Sequence, residues 1–408
     1  MNAFRRFSYR LYQSVLYVAS AFLNFREPRV LSGSKSSGKV FGILVEKNIN
    51  RILVVTDQSI YELGLLERMI KGFEEADIKY VIYKDVVPNP TIANIEEALT
   101  LYKNEHLKAI VAFGGGSSID TAKGIAARIA NPRKSIEKMK GILKVGGRIP
   151  LLIAVPTTAG TGSEATVAAV VVNDKTRHKY AINDPKLIPH YAILDPDLLV
   201  GLPKHITSTT GMDAMTHAVE AFIGRGNTKK TACCAISAIQ LIDKSLYESY
   251  INPSNLQARK DMQLAAFQAG VSFTRAYVGY VHALAHALGG KYNVPHGLAN
   301  AILLPYVLES FGDKIHKRLA LLSDAIKLTK EEASVSEKAI AFIDYIKALN
   351  KKLDIPDQLS NEEILNDIDE LVGHALKEAN PLYPVPVIKG HDELAAIYLS
   401  ALAKYLEA

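Results

Sequence analysis

A largely parallel α/β half followed by an all-helical half is the fold this sequence predicts, and three observations predict it. Short β-branched runs alternate with helical periods from Arg51 to Leu194. Beyond Pro203 the β signal stops and only helical periods follow. A Gly-rich turn, Gly114-Gly-Gly-Ser117, stands between an apolar run and a helical period. Strands alternating with helices imply a parallel sheet covered on both faces. The chain therefore divides into an α/β domain at 1–203, which includes an N-terminal amphipathic helix at 1–26, and an all-α domain at 204–408.

Each element has its own signal. Arg51-Ile-Leu-Val-Val-Thr56 predicts a buried strand, and Glu62 to Ala76 an amphipathic helix. Tyr80-Val-Ile-Tyr83 predicts a second strand, followed by a helix from Ile92 to Tyr102. Ala109-Ile-Val-Ala-Phe113 predicts a third, with a helix from about Ser118 to Ala130. Further strands are expected at Leu151-Leu-Ile-Ala154, Ala168-Val-Val-Val172 and Ala192-Ile-Leu194. Helical periods then run from Ser208 to the C-terminus, interrupted at Gly289-Gly290 and at Asn380-Pro-Leu-Tyr-Pro-Val-Pro386. There is no internal repeat and no low-complexity tract.

A chain of 408 residues is long enough for two cores. It is 48% hydrophobic and 22% charged, as an ordinary soluble enzyme is. The net charge of +6 suits an anionic small molecule, but no dense basic block argues for nucleic acid. The two cysteines, Cys233 and Cys234, are adjacent and geometrically poor disulfide partners. They are expected to be reduced, buried helix residues of a cytoplasmic protein. No apolar run approaches the length of a membrane span.

The first 26 residues carry Arg5, Arg6, Arg10 and Arg26 and no acid, with an apolar series at Phe4, Phe7, Leu11, Val15, Val18 and Phe22. That spacing predicts a basic amphipathic helix. Ala19-Ser20-Ala21 imitates a secretory cleavage site, but Tyr12, Gln13 and Ser14 interrupt the apolar stretch. The expectation is a helix packed on the body of the protein and no membrane association, with membrane-surface attachment or targeting as the second reading.

Chemistry concentrates in two windows. Asp213-Ala-Met-Thr-His217 and His282-Ala-Leu-Ala-His286 each place two ligand-type side chains four residues apart, on one face of a helix. His296 follows just beyond Gly289-Gly290, which can end the second helix and let the chain return. These groups can converge on one divalent metal, and spacing alone would take His282 with His286 as a ligand pair. In the first half, the glycines at 114–116 let backbone amides approach a pyrophosphate at a helix N-terminus. Asp57 directly follows the first strand, where a carboxylate can accept from ribose hydroxyls and repel a 2′-phosphate. Pro156-Thr157-Thr158-Ala159-Gly160-Thr161 follows another strand with a dense set of small donors. The acid precedes the Gly loop, the reverse of the usual dinucleotide fingerprint.

Taken together these residues resemble the iron-containing alcohol dehydrogenase family, from about residue 27 to the C-terminus. The elements occur in the family's order: Val55-Thr-Asp57, Val87-Pro-Asn-Pro90, Gly114 through Asp120, Pro156 through Thr161, Gly211-Met-Asp-Ala-Met-Thr-His217, and His282 through His296. The resemblance implies the dehydroquinate synthase-like architecture, with a nucleotide-binding α/β domain and a metal-binding helical domain. It implies Asp213, His217, His282 and His296 as ligands of Fe²⁺ or Zn²⁺, with His286 a non-ligand facing the nicotinamide. It implies Asp57, Asn89, Gly115, Gly116, Ser117, Ser118, Ile119, Thr157, Thr158, Thr161 and Lys179 as contacts to NAD, or to NADP. Lys179, beside Arg177, enters only because Lys179-Tyr-Ala-Ile-Asn-Asp-Pro185 matches the family pattern. Phe273 and Val278 are expected to line the substrate pocket.

The implied reaction is hydride transfer between NAD(P) and a small, primary alcohol or aldehyde, with the metal as Lewis acid and His286 as proton relay. The reaction would take place in a cleft between the domains, which excludes water. A homodimer or larger homo-oligomer is expected. The alternatives are glycerol dehydrogenase-like polyol oxidation and a dehydroquinate synthase-like lyase on the same scaffold. A non-catalytic binding protein is disfavoured by the intact motifs.

Overall fold

The continuous β-branched runs of the first half become the middle of a six-stranded parallel sheet. The structure is a computed structural model and describes residues 1, 3–20, 22–23, 25–175 and 179–403. Ala21 and Arg177, which enter the sequence reading above, lie outside the described residues. The strands are β1 (Arg29–Ser32), β2 (Arg51–Val55), β3 (Lys79–Tyr83), β4 (Ala109–Gly114), β5 (Gly141–Ile142), β6 (Leu151–Pro156), β7 (Ala168–Val172), β8 (Lys179–Asn183) and β9 (Tyr191–Leu194). The main sheet has the order β1-β9-β6-β4-β2-β3. Every residue of β4 is buried, as a central parallel strand covered on both faces must be. A smaller sheet has the order β5-β8-β7, with β7 and β8 antiparallel.

Two compact units result. The α/β unit comprises Asn24–Leu202 and Pro253–Gly270; the helical unit comprises Met1–Leu23, Pro203–Asn252 and Val271–Ala408. The N-terminal segment thus groups with the helical residues, although the sequence reading placed it with the α/β half. The reason is local: Gln13 Nε2 donates to the carbonyls of Pro381 and Tyr383, and Arg10 donates to those of Val385 and Pro386.

Helix boundaries follow the backbone chemistry, with three departures from expectation. The predicted helix from Glu62 to Ala76 is two helices, Gln58–Glu62 and Glu67–Glu75, because Gly64 between them takes φ 68°. Gly289-Gly290 does not end its helix. Tyr280–Tyr292 runs through both glycines and stops at Asn293, which adopts the left-handed conformation at φ 53°. Cys233 and Cys234 form no disulfide, but Cys233 is exposed and Cys234 half-buried, because they fall on the outer face of the helix Lys229–Ile251. The neighbouring helix Lys204–Ile223 is buried on all sides from Gly211 to Ile223, which marks it as the centre of the helical unit. Among the described residues no helix is long and apolar enough to cross a membrane.

His190 ties the sheet together and makes it sensitive to acid. Its Nδ1 accepts from the N–H of Leu152 at 3.0 Å, while its own N–H donates to the Leu152 carbonyl at 2.8 Å. Burial, helped by Arg26, pushes the imidazole down to about 4 from an ordinary 6.5. An unfolded chain takes up this proton below about pH 6.5 and the folded one refuses it. Stability is therefore full above about pH 6.5 and falls as the pH drops toward about 4. In His190→Asn, whose amide oxygen can still accept from Leu152, the loss of urea resistance between neutral pH and about pH 5 should shrink. An undiminished loss would remove His190 as its source.

Candidate active site

In the α/β unit, the loops leaving three adjacent strands carry the sequence-predicted nucleotide residues. Asp57 follows β2, Gly114–Ser118 follows β4, and Thr157–Thr161 follows β6. Ligands of open parallel sheets bind at this carboxyl edge. Asp57 accepts the N–H of Ile60 at 3.0 Å and so caps its own short helix. Gly114 has φ 154°, and a Cβ there would collide with Ser118 Oγ. Gly115 precedes the helix Gly116–Ala130, and a Cβ on Gly116 would come within 2.8 Å of Thr161. The glycines thus let the second and third loops close on each other, and the N–H of Thr157 donates to the Gly114 carbonyl at 3.1 Å. Asn89 has φ 56° and accepts from Lys179 Nζ at 2.7 Å. Ser118 and Ile119 are buried in the first turn of that helix.

Beneath these loops lies a group the sequence reading missed. Lys123 is fully buried, and its Nζ donates to Ser163 Oγ, Thr166 Oγ1, and the carbonyls of Thr166 and Ala168 at 2.7 to 3.0 Å. Asp120 accepts from Ser163 Oγ and from the N–H of Val170. Burial holds the Lys123 ammonium down to about 8 and pushes Glu164 up to about 7. A lysine two turns past a Gly loop, in an otherwise apolar helix face, is the available signal.

In the helical unit, Asp213, His217, His282 and His296 each offer a ligand atom, and these atoms lie within 4.8 Å of one another. Asp213 and His217 come from the central helix, His282 from Tyr280–Tyr292, and His296 from the first position of His296–Phe311. Asp213 Oδ1 stands 3.4 Å from His296 Nε2 and 3.8 Å from His282 Nε2, and Asp213 Oδ2 is 3.9 Å from His217 Nδ1. His286 is not in this group. Its ring stacks on His296 at 5.0 Å, and its Nδ1 lies 2.7 Å from Glu378 Oε1, which also accepts from the Tyr383 hydroxyl. Phe273 stacks on His217 at 4.1 Å, while Val278 is half-buried in the turn before Tyr280.

The protonation of His282 is fixed by Glu220, three residues past His217 and unnoticed in the sequence. Glu220 is buried and accepts the N–H groups of Gly279 and Val281, each at 2.8 Å. Its Oε2 lies 2.6 Å from His282 Nδ1. With Nδ1 turned to this carboxyl, the other ring nitrogen, Nε2, is the one left to offer a lone pair. That Nε2 is buried, makes no hydrogen bond and faces Asp213. Burial pushes Glu220 up to about 8, and burial with the adjacent imidazoles holds His282 well below its ordinary value, so the ring is neutral. Asn300, also unforeseen, donates from Nδ2 to Asp213 Oδ1 at 2.7 Å and lies 3.2 Å from His296 Nε2. One carboxylate and three imidazoles whose ring nitrogens converge are the donor set that Fe²⁺ and Zn²⁺ take.

These two sets of groups, each in its own unit, define a class: a metal-assisted, nicotinamide-linked dehydrogenase. Comparison with known proteins narrows it. A family model described as iron-containing alcohol dehydrogenase matches residues 28–196, and one described as Fe-containing alcohol dehydrogenase family, C-terminal, matches 207–402. Alcohol dehydrogenase 4 of Schizosaccharomyces pombe is 40% identical over 357 residues, covering 86% of this chain and 82% of the relative. NAD-dependent methanol dehydrogenase of Bacillus methanolicus is 31% identical over 378 residues, covering 93% and 99%. The crystal structure of a 1,3-propanediol oxidoreductase superposes with a TM-score of 0.89 at 33% identity, covering 93% of this chain and 100% of the other. The chain belongs to the iron-containing alcohol dehydrogenase family. It is an oxidoreductase acting between alcohols and aldehydes with a metal ion and a nicotinamide cofactor.

Proposed function

We propose that this enzyme reduces short aldehydes, and oxidises the corresponding primary alcohols, with NAD in preference to NADP. Asp213, His217, His282 and His296 hold Fe²⁺ or Zn²⁺, and the observation that carries this is the buried, inward-facing Nε2 of His282. When bound, the ion supplies Lewis acidity toward the substrate oxygen, and the nicotinamide supplies or accepts the hydride. Glu220 keeps His282 in the tautomer that leaves Nε2 basic. Asn300 holds Asp213 in place. His286 passes a proton from Nδ1 to Glu378 Oε1, whose side chain is 34% exposed and so opens to solvent. Phe273 presents an apolar ring beside His217, which favours an aliphatic substrate over a polyol; Val278 belongs to the same wall. The α/β part, 1–203 by sequence, binds the dinucleotide through Asp57, Asn89, Gly115–Ile119, Thr157, Thr158, Thr161 and Lys179. The part from 204 to 408 holds the metal. The reduced pair Cys233 and Cys234 supports a cytoplasmic enzyme, and the family supports a homodimer or larger homo-oligomer.

The test is an anaerobic assay of protein loaded with Fe²⁺ or Zn²⁺, following NADH and NADPH against short aldehydes and dihydroxyacetone, with phosphate release from a dehydroquinate synthase substrate followed separately. Metal-dependent consumption of NADH with the aliphatic aldehydes is expected. Turnover only with the polyol-type or lyase substrate would replace the reading.

Glu220 gives an independent check. Glu220→Gln keeps an acceptor for the backbone amides but replaces a carboxyl oxygen by an NH2 group, which changes the partner of His282 Nδ1. Metal affinity, measured by chelator competition, should fall about 10- to 100-fold. Unchanged affinity would reduce Glu220 to a helix-packing role.

A further inference from the structure

The helix Ala3–Ser20 is mounted with its polar side inward. Phe4, Phe7, Leu11, Val15 and Val18, with Phe22 just beyond, recur at spacings of three and four and cover roughly 80° of arc at 100° per residue. All of them are exposed, Phe4 at 79%, Phe7 at 67% and Phe22 at 86%. The opposite side does the docking. Gln13 is buried against the carbonyls of Pro381 and Tyr383, Arg10 bonds those of Val385 and Pro386, and Arg6 pairs with Glu393 at 3.1 Å. The sequence predicts a packed helix and no membrane association; the helix is packed, but by the side that leaves its apolar series in water. Exposed apolar patches of this extent mark interaction surfaces.

A second feature adjoins the stripe. A cavity of about 550 Å³ opens beside the start of the helix, lined in part by Arg5, Tyr9, Leu376, Lys377, Asn380 and His391, with no carboxylate in its lining. Arg5 Nε donates to Tyr9 Oη at 2.8 Å, and His391 stands 3.3 Å from Asp369 and 3.4 Å from Asp392 outside the lining. An apolar strip flanked by a cation-lined hollow has the chemistry of an interfacial helix on an anionic lipid surface.

We propose that this face rests on a membrane surface containing anionic phospholipid. The stripe from Phe4 to Phe22 enters the headgroup–acyl boundary, and Arg5 and Lys377 take a headgroup phosphate at the cavity. The helix lies on the bilayer and does not span it, in keeping with its length and the absence of a spanning helix among the described residues. Charge selects this occupant over a second copy of the chain. Residues 1–26 contain no acid, and the cavity lining sets Lys377 beside Arg5, a pair of cations that a headgroup phosphate answers.

The experiment is flotation of the full, metal-loaded enzyme with vesicles of phosphatidylcholine alone and with about a quarter phosphatidylglycerol added. Wild type should float with the phosphatidylglycerol vesicles and much less with phosphatidylcholine alone. Phe7→Ser with Leu11→Ser should bind at least about a hundredfold more weakly, since each apolar side chain removed from the boundary costs about tenfold or more. Arg5→Glu with Lys377→Glu should abolish the preference for phosphatidylglycerol. Turnover and the mass by light scattering should stay unchanged in both variants. Failure of wild type to float with either vesicle overturns the proposal. So does an altered oligomeric mass in the serine variant with vesicle binding intact, which would make the stripe a contact between copies.

Discussion

His282→Ala should lower turnover by at least about a thousandfold while NADH binding stays near that of wild type. The magnitude follows from losing a Lewis acid that supplies several kcal/mol of transition-state stabilisation. The separation of effects follows from the fold. His282 lies in the helical unit, whereas the Gly114–Ser118 and Thr157–Thr161 loops lie in the α/β unit with their own hydrogen bonds. Metal content after dialysis should fall with activity. Because Glu220 loses one of its three donors, the melting temperature should also drop, by an amount matching about 1–3 kcal/mol. Strong loss of NADH binding with normal metal content would sink the assignment of His282 as a ligand.

Asp57→Gly should raise the ratio of kcat/KM for NADPH over NADH by about a hundredfold. In the proposed site the Asp57 carboxylate at the end of β2 would meet the ribose and repel a 2′-phosphate, and like charges at such range cost several kcal/mol. The substitution is clean for the backbone. Asp57 caps only the five-residue helix Gln58–Glu62, and glycine at an N-cap costs a few tenths of a kcal/mol. A ratio that does not move would mean that another group reads the ribose.

What the sequence discloses and what it hides follow from the range of the interactions. Strands β2, β4 and β6 are legible because both their faces are buried, and they read as unbroken apolar runs. Strand β1 is not: Arg29-Val-Leu-Ser32 is short, mostly exposed, and exists because Tyr191–Leu194 lies beside it, far along the chain. The pairing of β7 with β8 has the same character, since the alternating burial of Lys179–Asn183 shows only against its partner. Asn293, rather than the two glycines before it, ends its helix, because a glycine pair weakens a helix without obliging it to stop.

The site divides along the same line. Helical spacing brings Asp213 to His217 and His282 to His286, but spacing cannot show that His286 turns to Glu378 while His296 joins Asp213. That discrimination needs Glu378, nearly a hundred residues away, as partner. Glu220 left a trace, a lone acid in the apolar run Ala218-Val-Glu-Ala-Phe-Ile223, which only burial makes conspicuous.

The buried ammonium of Lys123 has a consequence for how the dinucleotide is received. Its four acceptors belong to the segment Ser163–Ala168 that leaves the Thr157–Thr161 loop, while its own helix begins at the Gly loop. One side chain thus fastens the roots of two loops to each other, so neither can wander without breaking bonds that have no water to replace them. The disorder a flexible pair of loops would surrender on meeting its ligand has been surrendered during folding instead. Affinity for the cofactor then reflects contacts formed, with little subtracted for stilling the receptor.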